Sequence, residues 1–171
     1  MKLVIVESPN KCHTISRYLG EGYEVLATVG HLRDLSTSGK GGFGVDIDHD
    51  FKPTYVISSL KRHTVFELQE AASKAKDIFL ATDPDREGEA IAWHLTQILG
   101  LPVETTKRLE FHEITRDSIT TAIKNPRVLD MNLVEAQEAR RIVDRIIGFK
   151  LSNIMQKKIK SPSAGRVQSA T

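Results

Sequence analysis

The sequence predicts an α/β fold: a mainly parallel sheet flanked by helices, followed by an α-helical segment. Two short apolar runs, Leu3-Val4-Ile5-Val6 and Ile78-Phe79-Leu80-Ala81, have the length and unbroken hydrophobicity of strands buried on both faces. Stretches with helical spacing lie between and after them, and strands alternating with helices make a parallel sheet. The stretch after Pro126 shows helical signals only.

In chain order, Lys2 to Val6 reads as a strand, Asn10 to Leu19 as a helix stopped at Gly20, and Tyr23 to Val29 as a strand ended by Gly30. A long loop is expected next, because Gly39-Lys40-Gly41-Gly42-Phe43-Gly44 and Asp46-Ile47-Asp48-His49-Asp50 are too glycine-rich and polar for regular structure. A loop of that length in a compact domain is often functional. Tyr55 to Ile57 reads as a short strand. From Leu60 to Ala75, Val65, Leu68, Ala72 and Ala75 recur at helical spacing. After the strand at Ile78, Glu87 to Leu99 forms a helix with Ala90, Ile91, His94, Leu95 and Ile98 near one face, ended by Gly100 and Pro102. Lys107 to Phe111 is expected as a strand, Thr115 to Ile123 as a short helix, and Leu133 to Lys158 as one helix, long or broken around Gly148. No internal repeat or low-complexity segment interrupts the pattern.

With 171 residues, 40% hydrophobic and 27% charged, the chain can bury one good core and a partial second unit. No apolar run approaches the roughly 18 residues of a membrane span. Met1-Lys2 leads straight into a strand without a cleavable signal pattern, so a cytoplasmic protein with no membrane association is expected. The single cysteine, Cys12, forms no internal disulfide, and with His13 it lacks partners at zinc spacing.

Charge is distributed unevenly. From Arg140 onward, eight basic residues (Arg140, Arg141, Arg145, Lys150, Lys157, Lys158, Lys160, Arg166) stand against the single acid Asp144, so this end carries +7 and the rest −5 within a total of +2. A solvated helix face interleaves both signs; a one-sided excess points to a polyanion such as nucleic acid.

The candidate chemistry lies where the apolar strands end. Asp83-Pro84-Asp85-Arg86-Glu87 puts carboxylates at every second position directly after one of them, and Glu7 directly follows the other. In open α/β sheets the carboxyl edge of the strands is where ligands bind. Alternate residues of an extended segment point the same way, so Asp83, Asp85 and Glu87 converge if the chain stays extended through Pro84. Converging carboxylates suit a hard, oxygen-loving ion such as Mg²⁺. Helix capping explains one or two of these acids, with Glu87 and Glu89 at the positive end of the helix, but not four with a fifth on another strand. Negative neighbours raise a carboxyl pKa, which suits Glu7 to donate a proton. Lys11, four residues on, suits a phosphate contact. His31, His94 and His112 carry little signal alone.

Six blocks in one order span the chain: Glu7-Ser8-Pro9-Asn10-Lys11; Gly30-His31-Leu32-Arg33-Asp34-Leu35; Ala81 through His94; Phe111-His112-Glu113-Ile114-Thr115; Ala139-Arg140-Arg141-Ile142-Val143-Asp144-Arg145; and Ser163-Ala164-Gly165-Arg166-Val167-Gln168-Ser169. Together they resemble the bacterial DNA topoisomerase I family of type IA topoisomerases. An isolated Asp-x-Asp-x-Glu is shared by primases, recombination mediators and type II topoisomerases that carry the Toprim fold. The arginine-rich helix and the Ser-Ala-Gly-Arg-Val-Gln block are what single out type IA.

The resemblance implies a Toprim domain over residues 1–126, and over 127–171 the opening of the helical domain that grips single-stranded DNA. It assigns Asp83, Asp85 and Glu87, with Glu7, to Mg²⁺, Glu7 also to the cleavage chemistry, and Lys11 to the scissile phosphate. It assigns His31, Arg140, Arg141, Asp144 and Phe149 to the DNA strand, and Ser163, Ala164, Gly165, Arg166, Val167 and Gln168 to DNA near the cleavage site. Gln156 stands where some relatives have a large aromatic, and Cys12-His13 replaces a small and basic pair. The implied reaction relaxes negatively supercoiled DNA: a tyrosine attacks one strand, the other passes through, and the break reseals. Tyr18, Tyr23 and Tyr55 lie outside the family's nucleophile motif, so an N-terminal fragment, monomeric and inactive alone, is expected. Two rivals fit less well. A recombination mediator would carry a cysteine zinc cluster, and a primase-like core gives no reason for the arginine-rich helix.

Overall fold

A computed structural model of the chain describes residues 1–159. It divides into two compact units: Met1–Arg33 with Ile57–Glu135, and Asp34–Val56 with the residues from Ala136 onward.

The first unit is the expected α/β sheet. Strands β1 (Lys2–Val6), β2 (Tyr23–Ala27), β7 (Asp77–Ala81) and β8 (Lys107–Arg108) form one sheet in the order β2-β1-β7-β8. All its pairings are parallel, and the register sets Val6 opposite both Ala27 and Ala81. The carboxyl ends of β1, β2 and β7 therefore emerge at one edge, which puts Glu7 and Thr82-Asp83 side by side.

Helices α1 (Pro9–Leu19) and α4 (Arg116–Lys124) cover one face of the sheet; α2 (Arg62–Lys74) and α3 (Arg86–Leu99) cover the other. Alternation along β1 serves both layers. Leu3 and Ile5 join Val65, Leu68, Leu80, Ile91 and Leu95, whereas Val4 and Val6 join Ile15, Phe79, Leu109 and Ile119. Two buried faces are why β1 and β7 are apolar at every position after their first residues, Lys2 and Asp77.

The second unit corrects the expectation of an irregular loop. Short strands β3 (Arg33–Leu35) and β6 (Tyr55–Ile57) pair, and β4 (Val45–Asp46) runs antiparallel to β5 (Lys52–Pro53). Strands of two or three residues are too short to leave an alternating pattern, and glycines at positive φ between them read as loop. Gly44 needs its φ of +66°, and a Cβ there would sit 2.0 Å from the Ser36 carbonyl oxygen. Leu35, Phe43, Val45 and Ile142 make a small core with Ile47, Tyr55, Ile146 and Phe149.

Other boundaries shift for local reasons. Beyond Ala27, the amides of Thr28 and Val29 still bond the carbonyls of Val6 and Glu7 at 3.0 and 2.9 Å, but Val29 turns to a φ of +57° and ends the strand. Strand β8 stops at Arg108, although Leu109 still donates to the Leu80 carbonyl at 2.8 Å. Helix α5 (Met131–Ile159) runs unbroken through Gly148. Among the described residues no helix is long and apolar enough to cross a membrane.

Candidate active site at the carboxyl edge of the sheet

Asp85 begins the site's geometry. It is extended (φ −137°, ψ 176°) and caps α3, accepting the Gly88 amide on Oδ1 at 2.7 Å. Helical geometry starts at Arg86, so the alternation that points acids one way ends at Asp85, and Glu87 sits in the first helical turn. The turn is closed tightly. Thr82 Oγ1 donates to the Gly88 carbonyl at 2.6 Å, and a Cβ on Gly88 would stand 2.1 Å from the Asp83 carbonyl oxygen. Only glycine lets α3 start so close to the strand end.

The acids are occupied differently. Lys11, one turn into α1, forms an ion pair with Asp83. Glu87 faces His31 Nε2 at 3.3 Å. The carboxyl of Glu7 is pushed above the usual carboxylate range. Burial is the largest cause, then the negative charges of Asp83 and Asp85, with His31 and Lys11 pulling the other way. The structure thus gathers Glu7, Lys11, His31, Asp83, Asp85 and Glu87 at the sheet edge, although no three His, Cys, Asp or Glu among the described residues stand in a ready metal-holding group. The chemistry of the donors fits a hard divalent cation, since all four acids offer carboxylate oxygen.

In the second unit, Asp34 collects two arginines, Arg141 Nη2 at 2.7 Å and Arg145 Nη2 at 3.2 Å. Burial works against the Asp34 charge, yet its hydrogen bond and charge pairing with Arg141, the Leu35 amide and Arg145 together hold its carboxyl below the usual range. Arg140 pairs with Asp144 one turn along α5, at 3.7 Å. Phe149 lies at 6.0 Å, tilted, from Phe43, with the Arg145 guanidinium 5.1 Å over its ring. Ser163, Ala164, Gly165, Arg166, Val167 and Gln168 lie outside the described residues.

Sequence reasoning missed Arg108, and it counted Glu89 with the acids of the sheet edge, whereas Glu89 turns inward to Arg108. Both are fully buried, and Arg108 Nη2 donates to the Asp83 carbonyl at 2.8 Å. No local pattern singles them out: Glu89 ends a run that holds Asp83, Asp85, Arg86 and Glu87, and Arg108 stands between Lys107 and Glu110.

A parallel sheet whose carboxyl edge carries these acids defines a Toprim domain, and the family model of that description matches residues 2–114. A second family model, described as DNA topoisomerase, matches residues 128–171. The chain belongs to the bacterial type IA topoisomerases. It is similar to the solved structure of full-length topoisomerase I from Thermotoga maritima, with 46% identity and a TM-score of 0.89 over 98% of this chain. It spans 28% of the length of that enzyme.

Proposed function

We propose that the chain supplies the acid half of a type IA topoisomerase active site, acting on a single-stranded segment of negatively supercoiled DNA. In this reading, residues 1–126 form the Toprim domain and residues from 127 open the strand-gripping helical domain, in a monomeric cytoplasmic enzyme. The observation that carries it is the clustering of Glu7 with Asp83 and Asp85 beside Lys11 at the sheet edge.

Asp83, Asp85 and Glu87, with Glu7, would hold Mg²⁺, which when bound neutralises phosphate charge and orients the backbone. Glu7 keeps its proton to higher pH than an ordinary carboxyl and is suited to protonate the 3′ oxygen that leaves as the strand is cut. Lys11 offers its ammonium to the scissile phosphate, which competes with Asp83 for it. His31, paired with Glu87, faces the same edge. Arg140, Arg141, Asp144 and Phe149, with Ser163 to Gln168, would contact the strand.

Tyr18 and Tyr23 pack against the apolar cluster under α1, and the Tyr55 hydroxyl donates to Glu138 at 3.1 Å. None is offered as a nucleophile. The 171-residue chain alone should therefore leave a supercoiled plasmid unrelaxed. The test is a chimera in which this chain replaces the matching part of the Thermotoga maritima enzyme. Relaxation in Mg²⁺ that disappears on Glu7→Gln supports the proposal; a folded chimera that does not relax, or that tolerates Glu7→Gln, contradicts it.

A further inference from the structure

The acid turn is gripped from inside the fold. The fork of Arg108 spends its donors on that grip: Nε to Glu89 Oε2 at 3.0 Å, Nη1 to the carbonyls of Leu109, Thr82 and Leu80 at 2.7, 2.8 and 3.2 Å, and Nη2 to the Asp83 carbonyl at 2.8 Å. Strand β8 pairs with β7 only at Phe79 and Leu80, so on that side the carbonyls of Thr82 and Asp83 lie past the ladder. Arg108 supplies the donors a longer strand would have given.

Glu89 is shared. Its Oε1 accepts from Arg127 Nη1 at 2.8 Å and from the Asp130 amide at 2.7 Å, and its Oε2 accepts from Arg127 Nη2 at 2.8 Å. Asp130 in turn caps the start of α5, its Oδ1 accepting the Asn132 amide at 3.0 Å and the Leu133 amide at 3.4 Å. One buried pair is therefore bonded both to the backbone beneath Asp83 and to the root of α5. Stability alone does not account for it, since apolar residues of equal volume stabilise a core as well as a buried ion pair does. Apolar residues cannot hold unpaired carbonyls at a strand end.

We propose that Arg108 and Glu89 are positioning residues, which fix the turn that presents Asp83 and Asp85 and lock it to the first turn of α5. The part concerning cation binding rests on the function proposed above; the geometric part does not.

The test is residue-resolved amide hydrogen exchange on the 171-residue chain, with calorimetric Mg²⁺ titration beside it. Arg108→Lys keeps the charge but replaces a five-donor fork with a single point donor. Exchange at Gly88, Glu89, Leu109 and Val134 should quicken about tenfold while Thr28, bonded across β1 and β2, keeps its protection. Mg²⁺ affinity should fall about ten- to hundredfold, as when an outer residue that orients metal ligands is removed. Unchanged protection at the turn, or equal acceleration at Thr28, overturns the proposal. If Arg108→Lys does not fold, Arg127→Ala, at a position one-third exposed, carries the test. Glu89 and Val134 should then exchange about threefold faster with Thr28 unmoved, and no change there overturns it. A wild-type chain that takes up no Mg²⁺ defeats the cation reading, and the exchange pattern still decides the positioning claim.

Discussion

The two units handle charge in opposite ways. In the sheet unit, Arg108 and Glu89 are both wholly buried and every bond they make is to a fixed partner. In the other, Asp34 and Arg141 are each nearly half exposed, at 45% and 44%. A buried charge pair fixes geometry, because no solvent stands ready to replace a missing partner. An exposed one is exchangeable, and in the function proposed above a phosphate would compete with Asp34 for Arg141. In the proposed function, the buried pair serves to fix the acid edge and the exposed arginine cluster serves to meet the DNA strand.

The comparison breaks first at Glu89. Glu89→Ala leaves the buried Arg108 without its counter-charge and strips Arg127 and the Asp130 amide of an acceptor, which should cost about 3–5 kcal/mol in urea unfolding. A loss under about 1 kcal/mol would mean that water reaches the pair.

Asp34→Asn should cost far less, about 1 kcal/mol or below at neutral pH. The sign of its pH dependence follows from the lowered carboxyl pKa. The folded value lies below the unfolded one, so the contribution is present above about pH 4 and fades as pH falls through the folded value. Urea midpoints of wild type and Asp34→Asn should therefore converge on acidification, and a constant gap would show that charge is not what Asp34 contributes.

The smallest effect is expected at the paired arginines. Arg140→Ala with Arg141→Ala should flatten the salt dependence of single-stranded DNA binding by roughly 0.7 for each phosphate that is no longer neutralised. Fluorescence anisotropy across a salt series measures it. An unchanged slope would assign Arg140 to Asp144 and Arg141 to Asp34 as purely internal partners.

What was legible in the sequence tracks the length of the repeating pattern. Strands β1 and β7 and helix α3 announced themselves through five to fourteen residues of consistent burial. The second unit did not, since its strands run two or three residues and its core joins residues as distant in sequence as Leu35 and Ile142. The acids at the sheet edge were legible as a cluster, but their separate employments were not. A capping acid was foreseen, and the structure gives that place to Asp85; that Asp83 takes Lys11 and that Glu89 turns inward to Arg108 depend on where the helix begins, which alternation cannot reveal.

Calorimetric Mg²⁺ titration of the wild-type chain against the double variant Asp83→Asn with Asp85→Asn decides whether the acids at the sheet edge hold a cation. Asparagine still caps α3 and still fills both positions, so the fold should persist while two anionic donors disappear. The wild type should bind Mg²⁺, and the variant, equally folded by circular dichroism, should bind it at least about tenfold more weakly. Equal Mg²⁺ affinity in the two chains would contradict a cation-holding role and leave these acids as a helix cap and a partner for Lys11.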